Sequence, residues 1–320
     1  MDQVPFVFVE RIVSLVPSKP HEIHDLFAEL GEIWETAAKE LEGNYQIVQV
    51  DIYSNANFMT FLKHSPGSCF ETFKNPTKYT MDLQLQFDAF DEDEYEDNED
   101  ESPKHDAEPI SEKILKQLIN LPTRGGYSEF EVSELPRRED EVFDFGGLLR
   151  NIQASFAFVS ISSCFGYSQE IEEFLRNLIP KRTCRSFLFN RVDLTSTCMD
   201  LLLDSWDMWT PYDKKCQHGE ILIYDCSQTF TKAQISRVLN GWCEGRGGRK
   251  IELDPLDFHD INELCETFGI KRSQWKVESL ENGSYSLTHL KTATFIMVEN
   301  SNPDYLQLEF RLRLNKRIVV

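Results

Sequence analysis

The side chains of this chain most capable of chemistry are its thiols and imidazoles. Cys216-Gln217-His218 sets a thiol two positions from an imidazole, and Cys226 and Cys243 follow it. Thiolate and neutral imidazole are the ligands zinc favours, so these four form a nominal ligand set. The same pair also reads as a thiol nucleophile beside a base. Neither chemistry comes with its customary spacing. No Cys-x-x-Cys pair occurs among the 8 cysteines, which removes the commonest zinc and redox signatures. Cys216 and His218 also lie in a loop-like stretch without an evident third group to orient them. The plainer reading makes Cys226, Cys243 and Cys265 small apolar residues near strand and helix ends.

Phosphate and acyl chemistry fare no better. Gly245-Arg246-Gly247-Gly248 follows a helical pattern and precedes an apolar run. A phosphate cradle needs the opposite order, with a helix N-terminus facing the anion. These glycines therefore read as a helix stop with a flexible turn. There is no Gly-x-Gly-x-x-Gly after a strand, no Walker loop, no Gly-x-Ser-x-Gly and no His-Glu-x-x-His. The expectation is a chain that is not an enzyme, with no catalytic, cofactor-binding or metal-ligating residues.

Charge narrows the partners. With 33 Lys+Arg against 54 Asp+Glu the formal net charge is -21. Nucleic-acid binding draws on basic surface to release counterions from phosphate, and anionic membranes attract basic segments. Both are disfavoured, which leaves proteins as the expected partners. The start Met-Asp-Gln-Val-Pro lacks the basic, then apolar, character of a secretion signal, and no run approaches roughly eighteen apolar residues. A cytoplasmic or nuclear location is expected, with the cysteines as thiols. Asn282-Gly283-Ser284 matches a glycosylation acceptor but carries no weight without secretion.

At 320 residues the chain is long enough for two cores, and its 41% hydrophobic content supplies them. The first forty residues read as two amphipathic helices. Val9, Ile12, Val13 and Val16 recur at helical spacing between Pro5 and Pro17. From Pro20, Ile23, Leu26, Phe27, Leu30, Trp34, Ala37, Ala38 and Leu41 continue one apolar face to a stop at Gly43. Residues 1–43 are taken as a helical module. Residues 44–87 hold connecting strands, at Gln46–Tyr53 and Met81–Phe87. Residues 88–109 read as a disordered acidic linker, because ten of the fourteen residues from Asp88 to Glu101 are acidic.

Residues 110–320 form the last domain. After a short helix at Ile110–Leu121, the stretch from Arg124 to Asp140 reads as loop. Strand-like runs then begin at Phe156, Phe187, Ile221 and Lys250, about thirty to thirty-four residues apart. Helical patterns at Ser168–Leu178, Cys198–Trp209, Thr231–Cys243 and Asp260–Phe268 separate and follow them. A unit of strand and helix at a near-fixed period must stack on its neighbour to bury its apolar face. Trp206, Trp209 and Trp242 lie in these helices, as core residues or as the lining of a groove. The end of the chain alternates short strands with turn signals at Asn282-Gly283 and Asn300-Ser301-Asn302-Pro303, and reads as a closing antiparallel hairpin. The fold class expected is α/β (α+β overall): a short N-terminal helical module, then leucine-rich-like strand–helix repeats.

One resemblance extends this reading. Val4-Pro5, then Phe8, Val9, Ile12, Val13 and Val16, then Leu26, Leu30 and Trp34, resembles the F-box outline. That outline is a Leu-Pro start, apolar residues at helical spacing, and short helices ending in a tryptophan. Val4 stands where leucine is usual, Phe6 where a polar residue is common, and Pro20 interrupts the middle. Gly219-Glu220-Ile221-Leu222-Ile223, Phe230-Thr231, Leu239-Asn240-Gly241-Trp242 and Tyr305-Leu306-Gln307-Leu308 look like the nematode-type families that join a degenerate F-box to an F-box-associated or leucine-rich-like domain. The resemblance implies a substrate-recognition adaptor of a cullin-based ubiquitin ligase. It implies that Pro5, Phe6, Val9, Ile12, Val13, Val16, Leu26, Leu30 and Trp34 dock on the ligase's linker subunit while the repeats hold a target. The alternative is a scaffold or sensor whose N-terminal helices pack inside the protein.

Overall fold

A computed structural model of the chain describes residues 5–14, 25–27, 29–53, 58–61, 63–64, 67–77, 80–88, 106–109, 111–121, 123, 128–135, 144–209, 219–228, 230–244, 246–248, 250–253, 265–266, 269, 271, 273–279, 285–289, 294–299 and 306–312. The chain divides into two compact units, Met1–Cys184 and Arg185–Val320. The repeat region beginning at residue 110 is thus shared between them, where the sequence pattern read it as one domain.

The first unit opens with two helices, α1 (Phe6–Ser14) and α2 (Glu32–Asn44), which pack on each other. The continuous helix expected from Pro20 to Gly43 is broken. Residues 25–27 are helical, a turn follows, and Gly31 stands at φ 115° before α2 begins. Only glycine reaches that conformation without strain, so the backbone redirects there although the apolar periodicity runs through it.

After Tyr45 the chain enters β1 (Gln46–Tyr53). Next come β2 (Phe58–Phe61), the two-residue strands β3 (Lys63–His64) and β4 (Gly67–Ser68), the short helix α3 (Cys69–Lys74) and β5 (Thr80–Asp88). β6 (Asp106–Pro109) follows, inside the segment expected as disordered linker, and pairs antiparallel with β2. Residues 89–105 of that segment lie outside the described residues. Then come α4 (Glu112–Ile119), β7 (Glu129–Val132), α5 (Phe145–Asn151), β8 (Phe158–Cys164) and α6 (Ser168–Leu178).

β1, β5, β7 and β8 are parallel, each beside its predecessor; on the β1 side β2 runs antiparallel to β1, and β6 antiparallel to β2. Parallel strands that advance in one direction with right-handed crossovers place their helices on one face. The helices stack accordingly, α3 on α4, α4 on α5 and α5 on α6. The stretch read as loop therefore contains a strand, β7, and α5 follows just beyond it to complete a repeat. Its strand is four residues long, and only Phe130 and Val132 stand out between glutamates.

Phenylalanines fill the space beneath these helices. Phe130 lies 5.7 Å from Phe87, 5.3 Å from Phe156 and 5.0 Å from Phe174, centre to centre, and Phe145 meets Phe87 at 4.9 Å. Backbone bonds stitch neighbouring repeats: Ser133 N–H donates to the Phe87 carbonyl and Ala157 N–H to that of Ser128. The carboxylate of Glu170, on α6, is buried and accepts from Arg150 of α5 at 3.0 Å, which keeps its charge compensated.

The second unit repeats the plan. β9 (Ser186–Val192), α7 (Ser196–Met208), β10 (Glu220–Tyr224), α8 (Lys232–Cys243) and β11 (Lys250–Leu253) form three parallel strands with intervening helices. Caps start both helices. Thr195 Oγ1 accepts from Cys198 N–H, while Thr231 Oγ1 accepts from Gln234 N–H as the Gln234 side chain accepts from Thr231 N–H. Phe187, Phe189, Trp206, Trp209, Ile221, Ile223, Ile235 and Val238 make the core. Trp206 and Trp209 are thus core residues; the Trp242 side chain lies outside the described residues.

The glycine stop is not a loose turn. A Cβ on Gly248 would sit 2.3 Å from the Gly219 carbonyl oxygen and 2.7 Å from the Trp209 ring. Gly247 N–H donates to the Trp209 carbonyl. The bare backbones let two repeat turns and an indole close on one another. Four antiparallel strands end the unit: β12 (Trp275–Ser279), β13 (Tyr285–His289), β14 (Thr294–Glu299) and β15 (Leu306–Leu312). They form a meander, and β15 pairs with β11. The expected closing hairpin is therefore extended to a meander of three successive hairpins, and it covers the open edge of the parallel strands.

The α/β class and the strand–helix alternation are as the sequence implies. No helix among the described residues is long and apolar enough to cross a membrane.

Candidate functional site

The helical module is built from small residues and a few aromatic ones. On α1, Val9 and Val13 have no exposed surface and face Ala37, Ala38 and Leu41 of α2, with Phe27 completing the cluster. Two adjacent alanines let the helix backbones approach closely. Phe6, Ile12, Ile33, Trp34 and Tyr45 pack around this centre and remain partly open. Trp34 stacks on Phe27, with centroids 5.5 Å apart and planes at 4°. Its indole Nε1 is buried with no acceptor among the described residues.

The nine residues expected to dock are thus divided by the fold. Val9 and Val13 lie inside, Phe6, Ile12 and Trp34 flank them, and Pro5, Leu26 and Leu30 are exposed. Val16 lies outside the described residues. Sequence periodicity missed two residues. Val7 is 72% exposed and Phe8 54% exposed, while Leu26 and Leu30 stand at 49% and 42%. The signal was present in Phe6-Val7-Phe8-Val9, four apolar residues in a row, more than one helix stripe can bury against a single partner. Asp25, Glu29 and Glu32, beside the two leucines in sequence, are exposed carboxylates.

The second surface is the helix-free face of the first unit's sheet. Val48, Val50, Ile52, Leu83, Leu85, Phe87, Phe130 and Val132 point into the core. The alternate residues occupy the other face, in rows set by the parallel register. Gln49, Gln84 and Glu129 form one row, Asp51, Gln86 and Glu131 the next, and Tyr53 and Asp88 the third. Carboxylates crowd here. Burial, reinforced by Asp88, pushes the Asp51 carboxyl up to about 6. Burial, then Glu131 and Asp82, raises Glu129. Ionised carboxylates give this face a negative potential.

The thiols do not converge. Cys164, Cys184, Cys198 and Cys265 are buried, and the half-buried Cys226 donates its S–H to the Tyr224 carbonyl. Cys216 and His218 lie outside the described residues, as does the side chain of Cys243. Among the described residues no group of three or more His, Cys, Asp or Glu is arranged to hold a metal ion.

Comparison of the chain with protein-family models, with characterised proteins and with solved structures finds no match.

Proposed function

We propose that this protein is an interaction adaptor: the helical module docks on the linker subunit of a cullin-type ubiquitin ligase and the strand–helix repeats hold a target. The observation that carries this reading is the exposure of Val7, Phe8, Leu26 and Leu30 on one small module. Large apolar side chains left open together in a short segment mark interaction surface. An amphipathic helix that shows apolar residues on two sides can bury one within the protein and offer the other to a groove. The repeats' carboxylate-rich sheet face is where a target with basic surface would lie. Transfer of ubiquitin would then follow from proximity.

The docking residues are accordingly shifted from the buried Val9 and Val13 to the exposed Val7 and Phe8. A charge at Val9 would disrupt the module itself and report nothing about docking. The test is a Val7→Asp, Phe8→Asp double variant of the full chain in a pulldown with the linker subunit. It should keep the parent's thermal transition and lose at least tenfold in retained linker, the scale of one lost apolar anchor. Undiminished retention would reject this interface.

The burial of Val9 and Val13 favours a second reading, a scaffold whose N-terminal helices are purely internal. It predicts that neither parent nor variant retains linker, while amides of α1 and α2 exchange slowly.

A further inference from the structure

The two N-terminal helices form a core of their own. Their cluster contains Val9, Val13, Phe27, Ala37, Ala38 and Leu41, and each helix finds its principal partner in the other. The route from this cluster to the sheet runs through Tyr45, the one residue between α2 and β1. Its ring packs against the helical cluster, while its hydroxyl donates to Asp82 Oδ2 on β5.

Asp82 is more deeply covered than its place in the strand implies. It alternates with the core residues Leu83, Leu85 and Phe87, so it belongs to the helix-free face with Gln84 and Gln86. Those two are half-buried, yet Asp82 has no exposed surface. Burying a carboxylate is costly unless hydrogen bonds replace its water. Two hydroxyls donate to it, one to each carboxylate oxygen. Tyr45 supplies one from the helical module. Ser128, at the entry to β7, donates to Oδ1 at 2.9 Å and accepts from Leu83 N–H at 3.1 Å. Ser128 thus ties Asp82 to the sheet, and Tyr45 ties it to the helices.

We propose that Tyr45–Asp82 is a latch that fixes the direction in which the helical module leaves the sheet. With no loop between α2 and β1, rotation about the Tyr45 backbone is the available hinge, and the phenol–carboxylate bond restrains it. Opening the bond frees the module to reorient without unfolding the sheet. The inference holds whichever partner the module takes, because it concerns the hinge and not the docking surface.

The test is hydrogen exchange by mass spectrometry on the full chain carrying Tyr45→Phe, which keeps the ring and removes only the hydroxyl. Amides of α1 and α2 should exchange about tenfold faster, the scale of one hydrogen bond to a charged group. Amides of β5, β7 and β8 should keep the parent's rates. Ser128→Ala should show the reverse pattern, because it loosens Leu83 N–H on the sheet side and leaves the Tyr45 bond intact. Equal acceleration in helices and sheet would make Tyr45 an ordinary core contact and overturn the latch. Unchanged rates everywhere would overturn it as well. Should Tyr45→Phe fail to fold, Asp82→Asn is read by the same criterion. It keeps the Ser128 bond through its amide oxygen and replaces the acceptor facing Tyr45.

Discussion

Two cores of very different make-up share the first unit. Around Phe130 the repeats interlock phenylalanines from β5, β7, α5 and α6, and leave few large apolar side chains open. Around Val13 the helical module relies on two valines, two alanines, Leu41 and Phe27 with Trp34 stacked on it, and among the described residues it leaves Val7, Phe8, Leu26 and Leu30 exposed. Aromatic side chains bury the most area per residue, so the repeat core is self-sufficient. A core of two short helices with few large side chains buries less, and such small assemblies gain most from an added partner. The contrast places more of the buried aromatic area in the repeats, and it is the footing of the docking role proposed for the module.

The largest effect that can break this comparison is expected from Phe130→Ala. Deleting the central ring of the aromatic cluster should cost about 3–5 kcal/mol in denaturant unfolding, with the sheet losing its cooperative transition. A cost below that of the corresponding change in the module would undo the argument. That corresponding change is Val13→Ala, expected to cost about 2 kcal/mol from lost burial and the cavity left. Its signature is local, with faster exchange in α1 and α2 and unchanged rates in β7 and β8.

The smallest effect concerns acid. Asp51 lies on the sheet, and its carboxyl is raised from 3.8 to about 6 in the fold. A carboxyl raised in this way favours the protonated folded chain. Its contribution is fully present below pH 3.8 and is lost as the pH rises through about 6. Asp51→Asn should therefore stabilise the chain at pH 7.5, by about 1 kcal/mol after discounting for solvent screening of a half-buried group. Thermal melts of parent and variant between pH 4 and pH 7.5 would check the sign. A stabilisation that grew toward pH 4 would contradict the burial assigned to Asp51.

Much of the fold was legible beforehand. The strands at Phe187–Val192 and Lys250–Leu253 and the helix at Ser168–Leu178 follow from local apolar patterns. β7 was not legible, because two apolar residues among glutamates are too few to show a period. β6 was hidden because an acidic strand at a sheet edge has no burial pattern to declare it. The proposed docking surface was half legible. Apolar residues on α1 were plain, but which would be covered was not.

By itself, then, the sequence determined the strands and helices with strong apolar patterns and that they recur, because spacing and capping act over a few neighbouring residues. It also determined the apolar character of the first helix. Only the tertiary structure decided that Val9 and Val13 turn inward while Val7 and Phe8 stay open, that Gly31 splits a continuous apolar stripe, and that Asp82 is sealed between Tyr45 and Ser128. Each of these depends on what arrives from tens of residues away. A side chain's own pattern says that it can be buried; the partner that covers it is set by the path of the whole chain.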